Sequence, residues 1–245
     1  MKSSGTTPPG AATEEQAARW VRGMFGQVAH RYDLLNHLLS FQIDRYWRAR
    51  TVKRVRHILE RPDARVVDLC CGTGDLLLAL EAGRRAMVYG SDFCHPMLTT
   101  AQGKIARKQA SAVLFEADAL RLPLADQSLD LVTVAFGFRN FANYHKGMEE
   151  LRRVLRPGGV AAILEFSRPP NALFRAFYEF YSREVLPRLG SAISGSSEAY
   201  SYLPESVRKF PGAEELAAEM REVGFEKVEF ERLTFGIVAL HLGTV

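Results

Sequence analysis

Val66-Val67-Asp68-Leu69-Cys70-Cys71-Gly72-Thr73-Gly74-Asp75 passes from a β-branched pair through an acid into a glycine-rich turn. Val66 and Val67 suit a buried parallel strand, and Leu76, Leu77, Leu78 and Leu80 suit the helix that follows. Gly72 and Gly74 let the backbone approach a ligand where a Cβ would collide. The segment therefore reads as a loop at the carboxyl end of a strand, the edge at which open α/β sheets bind ligands. Asp75 reads as the cap of the new helix.

Working outward, Ala86-Met87-Val88-Tyr89-Gly90-Ser91-Asp92 is a second apolar run ending in an acid, 24 positions after Asp68. A carboxylate at about that distance can accept two hydrogen bonds from the vicinal diol of a ribose. Asp118 closes a third strand-like stretch, Ala112 to Ala117, before a turn at Pro123, and is placed to accept from an adenine amino group. Leu129 to Phe136 reads as a fourth strand. A helical run through Leu151 and Leu155 stops at Pro157-Gly158-Gly159, and Val160 to Phe166 forms the next strand. Strands alternating with helical patterns predict an α/β fold with a largely parallel sheet and one loop-bearing edge.

The loop spacing is D-x-C-x-G-x-G, with Cys70 where a first glycine often stands, rather than the G-x-G-x-x-G of dinucleotide folds. It resembles the first motif of the S-adenosyl-L-methionine (SAM) methyltransferases. The chemistry agrees, because SAM has no phosphate to cradle but carries a sulfonium and an α-ammonium that an acid such as Asp68 would attract.

At 245 residues and 47% hydrophobic content the chain can bury one substantial core. Met1 to Ala12 is rich in Ser, Thr, Gly and Pro and reads as disordered. The predicted organisation is a tail over 1–13, an N-terminal helical segment over 14–60, and a core over 61–245 with an insertion at about 168–211. No signal-peptide core is present, and no apolar stretch approaches the roughly 18 residues of a membrane-spanning helix. The expected location is cytoplasmic, extending to peripheral contact with a membrane surface. Three cysteines make a poor disulfide scaffold, and Cys70, Cys71, Cys94 and His95 match no zinc spacing, so no metal is expected.

Charge is unevenly placed. Residues 41–60 hold six cations, Arg45, Arg48, Arg50, Lys53, Arg54 and Arg56, against Asp44 and Glu60, which equals the whole net charge of +4. With Ile43, Tyr46, Trp47, Val55, Ile58 and Leu59 at helical spacing, this reads as a basic amphipathic helix, solvated or lying on anionic lipid. Without a stacking or recognition motif, nucleic acid is not an expected partner. A second apolar helix, Asn171 to Leu189, reads either as a packed cap over the sheet or as a greasy roof for a hydrophobic tail.

Phe25-Gly26-Gln27-Val28-Ala29-His30-Arg31-Tyr32-Asp33-Leu34-Leu35-Asn36-His37-Leu38-Leu39-Ser40-Phe41, followed by Trp47, resembles the segment that precedes the SAM domain in the UbiE/MenG family of ubiquinone and menaquinone biosynthesis C-methyltransferases. Further blocks fit the same family: Phe136-Gly137-Phe138-Arg139-Asn140, then Arg153 to Gly159 leading to Leu164-Glu165-Phe166-Ser167, then Tyr200 to Val207 with Phe210-Pro211, and the ending Gly236 to His241. The resemblance runs from about Phe25 to the C-terminus.

It implies a class I SAM-dependent methyltransferase fold, Rossmann-like, with a mostly parallel seven-stranded sheet, an N-terminal helical lid and a helical insertion before the last helix. It also implies methylation of a ring carbon of a prenylated quinol, with demethylmenaquinol ahead of a ubiquinone-pathway or dual-pathway substrate. The implied cofactor-binding residues are Asp68, Gly72, Thr73, Gly74, Asp92, Asp118, Ala119 and Ala135. Those implied at the chemistry are Arg139, Asn140, Tyr32, Tyr200 and Tyr202. Arg139, effectively always protonated, would stabilise a developing phenolate or order a water, unless it is a structural arginine paired to a loop acid. At Ala135 the family commonly has a small hydroxyl residue, so only a backbone contact carries over there.

His30 and His37 have no orienting partner visible in sequence, and His241 sits in a strand-like run suited to the core, so no histidine base is nominated. Two other readings stay open: a SAM methyltransferase of another phenol, sterol or amine, and a membrane-associated SAM-binding assembly protein without turnover. The expected partners are the prenylated demethylquinol, a membrane surface and a second copy of the chain.

Overall fold

The computed structural model describes residues 5–30, 32–82, 85–181, 184 and 197–245. Seven strands form one sheet: β1 (Arg65–Leu69), β2 (Met87–Asp92), β3 (Val113–Glu116), β4 (Leu129–Ala135), β5 (Leu155–Phe166), β6 (Lys227–Leu233) and β7 (Val238–Thr244). Their order is β3-β2-β1-β4-β5-β7-β6. The pairs from β3 to β5 are parallel, and β7 runs antiparallel between β5 and β6. Strand order reverses between β1 and β4, where an open sheet leaves its ligand crevice. The expected α/β class and mostly parallel seven-stranded sheet are thus present.

Helices cover both faces. α3 (Ile43–Leu59), α4 (Asp75–Glu81) and α5 (His95–Lys108) lie on one side, where Trp47, Val55, Leu59, Leu77, Leu80 and Leu131 share a core. On the other, α6 (Tyr144–Val154) and the last helix (Ala213–Val223) pack Met148, Leu151, Leu216 and Met220 against Val67, Val132 and Ile163. Alternate residues of β1 and β4 serve the two cores, which is why both strands read as continuous apolar runs. Above the crevice stand α1 (Glu14–Val28) and α2 (Tyr32–Leu39), while α7 (Ala172–Phe180) and α8 (Ser197–Lys209) belong to the insertion. The last helix, residues 213–223, is α9.

Several details differ from the sequence reading. From Gly5 onward the expected tail is held: the Thr6 amide donates to the Phe141 carbonyl at 2.8 Å, its hydroxyl meets Tyr202 Oη at 2.7 Å, and Lys209 Nζ donates to Thr7 Oγ1 at 2.9 Å. Polar composition misleads there because these residues are tied down by hydrogen bonds to distant segments, with Pro8 among them buried. Pro157-Gly158-Gly159 does not separate α6 from its strand. Leu155 already pairs with Leu129, and the turn sits inside β5 as a register irregularity, with Gly158 at φ +79°. Asp75 is no cap, because the capping position belongs to Gly74 at φ +86° and the Asp75 carboxylate binds Lys104 Nζ at 2.6 Å.

The α3 face also differs. Trp47, Thr51, Val52, Val55, Ile58 and Leu59 are buried, whereas Ile43 and Tyr46 are exposed. Its basic side is largely neutralised: Arg50 and Arg54 pair with Glu231 and Glu229 of β6, Arg48 with Asp44, and Arg56 with Glu60. On α7, Leu173 and Phe180 stand in solvent, so its apolar width exceeds what the sheet covers. Val185 and Leu186 of that predicted helix lie outside the described residues. No helix among the described residues is long and apolar enough to cross a membrane.

Candidate active site

β1 ends in Asp68-Leu69, and the chain turns through three positive-φ residues, Cys70 (+51°), Gly72 (+54°) and Gly74 (+86°), to enter α4. Cys70 thus occupies a conformation that glycine adopts freely. Its side chain explains a second glycine: a Cβ at Gly137 would overlap Cys70 Cβ, so the loops after β1 and β4 interlock there. Asp92, at the end of β2, secures the first loop. Its Oδ2 accepts from the Gly72 amide and its Oδ1 from the Cys94 amide, both at 2.9 Å. A carboxylate has about four acceptor positions, so both oxygens keep capacity for a diol.

Three hollows with shared lining residues open on this edge. The first, about 760 Å³ counting the space open to solvent, is lined by Gly72, Asp92, Asp118, Ala119, Ala135 and Asn140, among others. A smaller one of about 360 Å³ lies over Asp68, Gly72, Thr73 and Ala135. The third, about 720 Å³, is walled by Asn36, Ser40, Asp44, Trp47, Arg139, Phe166 and Tyr202. Tyr32 and Phe136 line all three, so these rings form the junction. Phe136 stands at φ +57° and packs against Trp47 and Phe166, with ring centroids 5.7 and 5.0 Å away.

Asp68 is the electrostatic centre of the small hollow. It is 1% exposed, its Oδ1 accepts from Thr133 Oγ1 at 2.6 Å, and its Oδ2 is buried with no partner. Burial raises its carboxyl to about 7, against the lowering effect of the Thr133 bond. An orphaned acceptor beside a hollow with so raised a pKa awaits a cation. An α-ammonium fits that demand, and Asp92 and Asp118 in the adjoining hollow fit a nucleoside, so the residues present suit SAM.

The third hollow is built differently. Arg139 is buried and pairs with Glu165 of β5 at 3.1 Å, while its backbone amide donates to the same carboxylate at 3.1 Å. Burial alone would depress the Arg139 pKa, but the Glu165 charge outweighs it and holds the guanidinium above its ordinary value. Arg139 also donates to the Phe136 carbonyl, and its Nε is buried without a partner. The arginine is therefore paired, to a strand-end acid rather than a loop acid, and still has an unspent donor. Tyr202 Oη donates to Asn140 Oδ1 at 3.0 Å. Burial raises the pKa of both Tyr32 and Tyr202.

Not every predicted residue meets these walls. Gly74 lies behind them, packed on Ala101 with a notional Cβ at 3.3 Å. Thr73 lines the small hollow, but its hydroxyl donates to Asp33 and accepts from Lys104 at 3.1 Å. The Tyr200 side chain lies outside the described residues. His241 is in the core, its Nε2 bonded to the Ala213 carbonyl at 2.8 Å, and burial lowers its pKa to about 4. Sequence reasoning passed over Asp44, Ser40, Phe136 and Glu165. An acid inside the apolar run Ala161 to Phe166 was a usable signal for Glu165, since a buried charge requires a partner.

The sequence matches the ubiE/COQ5 methyltransferase family over residues 11–245. The chain belongs to the ubiE/COQ5 methyltransferase family. It is 50% identical over 221 residues to a demethylmenaquinone methyltransferase of Thermus thermophilus, covering 90% of this chain and 99% of that one. A demethylmenaquinone methyltransferase of Deinococcus radiodurans is 44% identical, with 96% of each chain covered. Among solved structures, a SAM-dependent methyltransferase of Thermotoga maritima superposes with a TM-score of 0.64 at 18% identity, covering 91% of this chain and 98% of that one. At that identity the last likeness speaks for the fold. Membership in the family makes this chain a SAM-dependent methyltransferase, in agreement with the Asp68, Asp92 and Asp118 hollows.

Proposed function

We propose that this protein methylates a ring carbon of a reduced, prenylated demethylmenaquinol. The observation that carries the reading is the meeting of two large hollows at Tyr32 and Phe136, one fitted to SAM and the other aromatic, with a buried arginine in its wall. The names of the relatives select the quinol among possible acceptors.

Bound SAM supplies a methyl group made electrophilic by its sulfonium. The residues here supply the rest. Phe136, Phe166 and Trp47, inclined to one another, form an aromatic, largely apolar wall for an aromatic ring and keep water from it. A quinol ring carbon becomes nucleophilic when the neighbouring hydroxyl loses its proton. The Arg139 guanidinium, held charged by Glu165, stabilises the oxygen on which negative charge develops, its Nε being the donor with no protein partner. Tyr202 fixes Asn140 at the boundary between the hollows. Tyr32 at the start of α2 closes the junction from the lid side, consistent with an orienting and sequestering role.

A hydrophobic tail needs an exit, and the exposed apolar groups suggest one. Leu38, Phe41, Ile43 and Tyr46 stand out at the α2–α3 corner. Trp47 Nε1 of α3 donates to Thr234 Oγ1 at 2.8 Å, next in sequence to the exposed Phe235, and Phe235 in turn packs at a tilt against Phe174 of α7. This apolar rim supports peripheral contact with a lipid surface at the mouth of the third hollow. Pelleting with vesicles, lost on Phe41→Ser with Phe235→Ser, tests it; equal pelleting of both proteins would contradict it.

The function itself is tested with methyl-labelled SAM and a short-tailed demethylmenaquinol, one sample kept reduced and one oxidised. Label on the ring in the reduced sample alone is expected. No label in either, with SAM bound normally, would overturn the assignment.

A further inference from the structure

The ring hydroxyl must give up a proton, and Arg139 is the wrong group to take it. Asp44, near the start of α3, is the only carboxylate among the described residues that line the third hollow. It is 3% exposed. Its Oδ1 accepts from Ser40 Oγ at 2.7 Å, and its Oδ2 accepts from His37 Nδ1 at 2.7 Å and from Arg48 Nη1. One acceptor position on Oδ1 is left for the cavity. His37 Nε2 lies 3.6 Å from Asp75 Oδ2, and the His37 side chain is 22% exposed. A chain of polar atoms thus runs from the wall of the acceptor hollow through Asp44 and His37 toward solvent.

We propose that Asp44 is the catalytic proton acceptor and that His37, which does not line the cavity, is the positioning residue whose Nδ1–H holds Oδ2 of that carboxylate. This rests on the quinol reading above. The hydroxyl O–H bond breaks, its proton passes to Asp44 Oδ1, and its electron pair stays on the ring oxygen. The adjacent carbon forms the new bond to methyl as the C–S bond breaks with its pair left on sulfur. The proton on that ring carbon then leaves, the oxygen is reprotonated, and one proton is released in all.

The other candidates are placed less well. Glu165 is committed to Arg139 and to the Phe166 amide at 2.8 Å, and it does not line the hollow. Asp92 and Asp118 face the cofactor hollow. Hydrogen bonds from Ser40 and Arg48 outweigh burial and hold the Asp44 carboxyl below its ordinary value. A carboxylate so stabilised is ionised near neutral pH and free to take the hydroxyl proton. His37, Asp44 and Asp75 also lie close enough to suggest a cation site. Arg48 already contacts both carboxylates and Lys104 contacts Asp75, so the positive charge is supplied by the protein.

The test is single-turnover methylation of the reduced quinol at saturating SAM across pH, with SAM affinity measured on the same proteins. The charged and titratable groups that face Asp44 and His37 are Arg48 of α3, Asp75 of α4 with Lys104 of α5 and Asp33 of α2 behind it, and Tyr32, Arg139 and Tyr202 across the hollow. The native rate should fall on the acid side as Asp44 takes up a proton. Asp44→Asn should bind SAM normally, lose about a hundredfold or more in rate, and lose that acid limb. His37→Asn should keep the fold and SAM affinity, with a smaller loss and a displaced limb. If Asp44→Asn turns over within a few-fold of native, or is slow with its acid limb intact, the proposal is overturned while the quinol reading stands. If the native protein gives no product, the quinol reading itself has failed.

Discussion

The cofactor half and the acceptor half of the site are made in different ways. The cofactor half is a row of strand ends: Asp68, Asp92, Asp118 and Ala135 follow β1 to β4 in order, and each sits beside the loop that its own strand delivers. The acceptor half is assembled from distant pieces: Asp44 from α3, Arg139 from the turn after β4, Phe166 from the end of β5 and Tyr202 from the insertion. A row of strand ends can be kept while the acceptor wall changes, so one sheet can carry many methyl acceptors.

The largest test of that division is Glu165→Ala. It strands the buried Arg139 charge and should cost roughly 3–5 kcal/mol in denaturant unfolding. A loss under 1 kcal/mol would mean that the arginine is solvated by other means. Arg139→Lys is gentler. A point charge does not reproduce the guanidinium fork, so turnover should drop by about a hundredfold with SAM affinity within about twofold of native. Parallel losses in both would erase the boundary between the halves.

The cofactor half is broken through Asp68. The ammonium of SAM favours the ionised carboxylate, whose pKa in the free protein is about 7. Affinity should therefore be highest above pH 7 and weaken on acidification, approaching about tenfold per pH unit below it. Calorimetry on Asp68→Asn should show weaker binding without that slope. The sign for stability is opposite: a raised acid pKa means that the free protein loses stability as pH rises from about 4 to about 7, and SAM restores it. The smallest effect belongs to Tyr202→Phe, which removes the bonds to Thr6 and Asn140. About 1 kcal/mol of stability and a several-fold rise in quinol KM are expected, with SAM affinity unchanged.

The same contrast explains what the sequence disclosed. Strand ends are contiguous with their strands, so Asp68, Asp92 and Asp118 could be picked from apolar runs that end in an acid. Asp44 reads in sequence as one anion among six cations, and His37 has no visible partner. They are seven positions apart on two helices, and only the turn between α2 and α3 brings Nδ1 within 2.7 Å of Oδ2. The Arg139–Glu165 pair spans 26 positions and depends on β4 and β5 lying side by side. Asp75 and residues 5–12 failed for a related reason: one was assigned by its neighbours in sequence and the other by composition, whereas both are fixed by contacts from afar. The blocks quoted for the family reached Arg139, Asn140 and Tyr202, which periodicity alone would not have selected.

The most direct measurement is a crystal structure with S-adenosylhomocysteine and a short-tailed demethylmenaquinol bound together. The sulfur should sit at the junction of Tyr32 and Phe136, with the ring against Phe136 and Phe166 and a ring oxygen between Asp44 and the Nε of Arg139. A ring bound outside that hollow, or a sulfur turned away from it, would contradict the account.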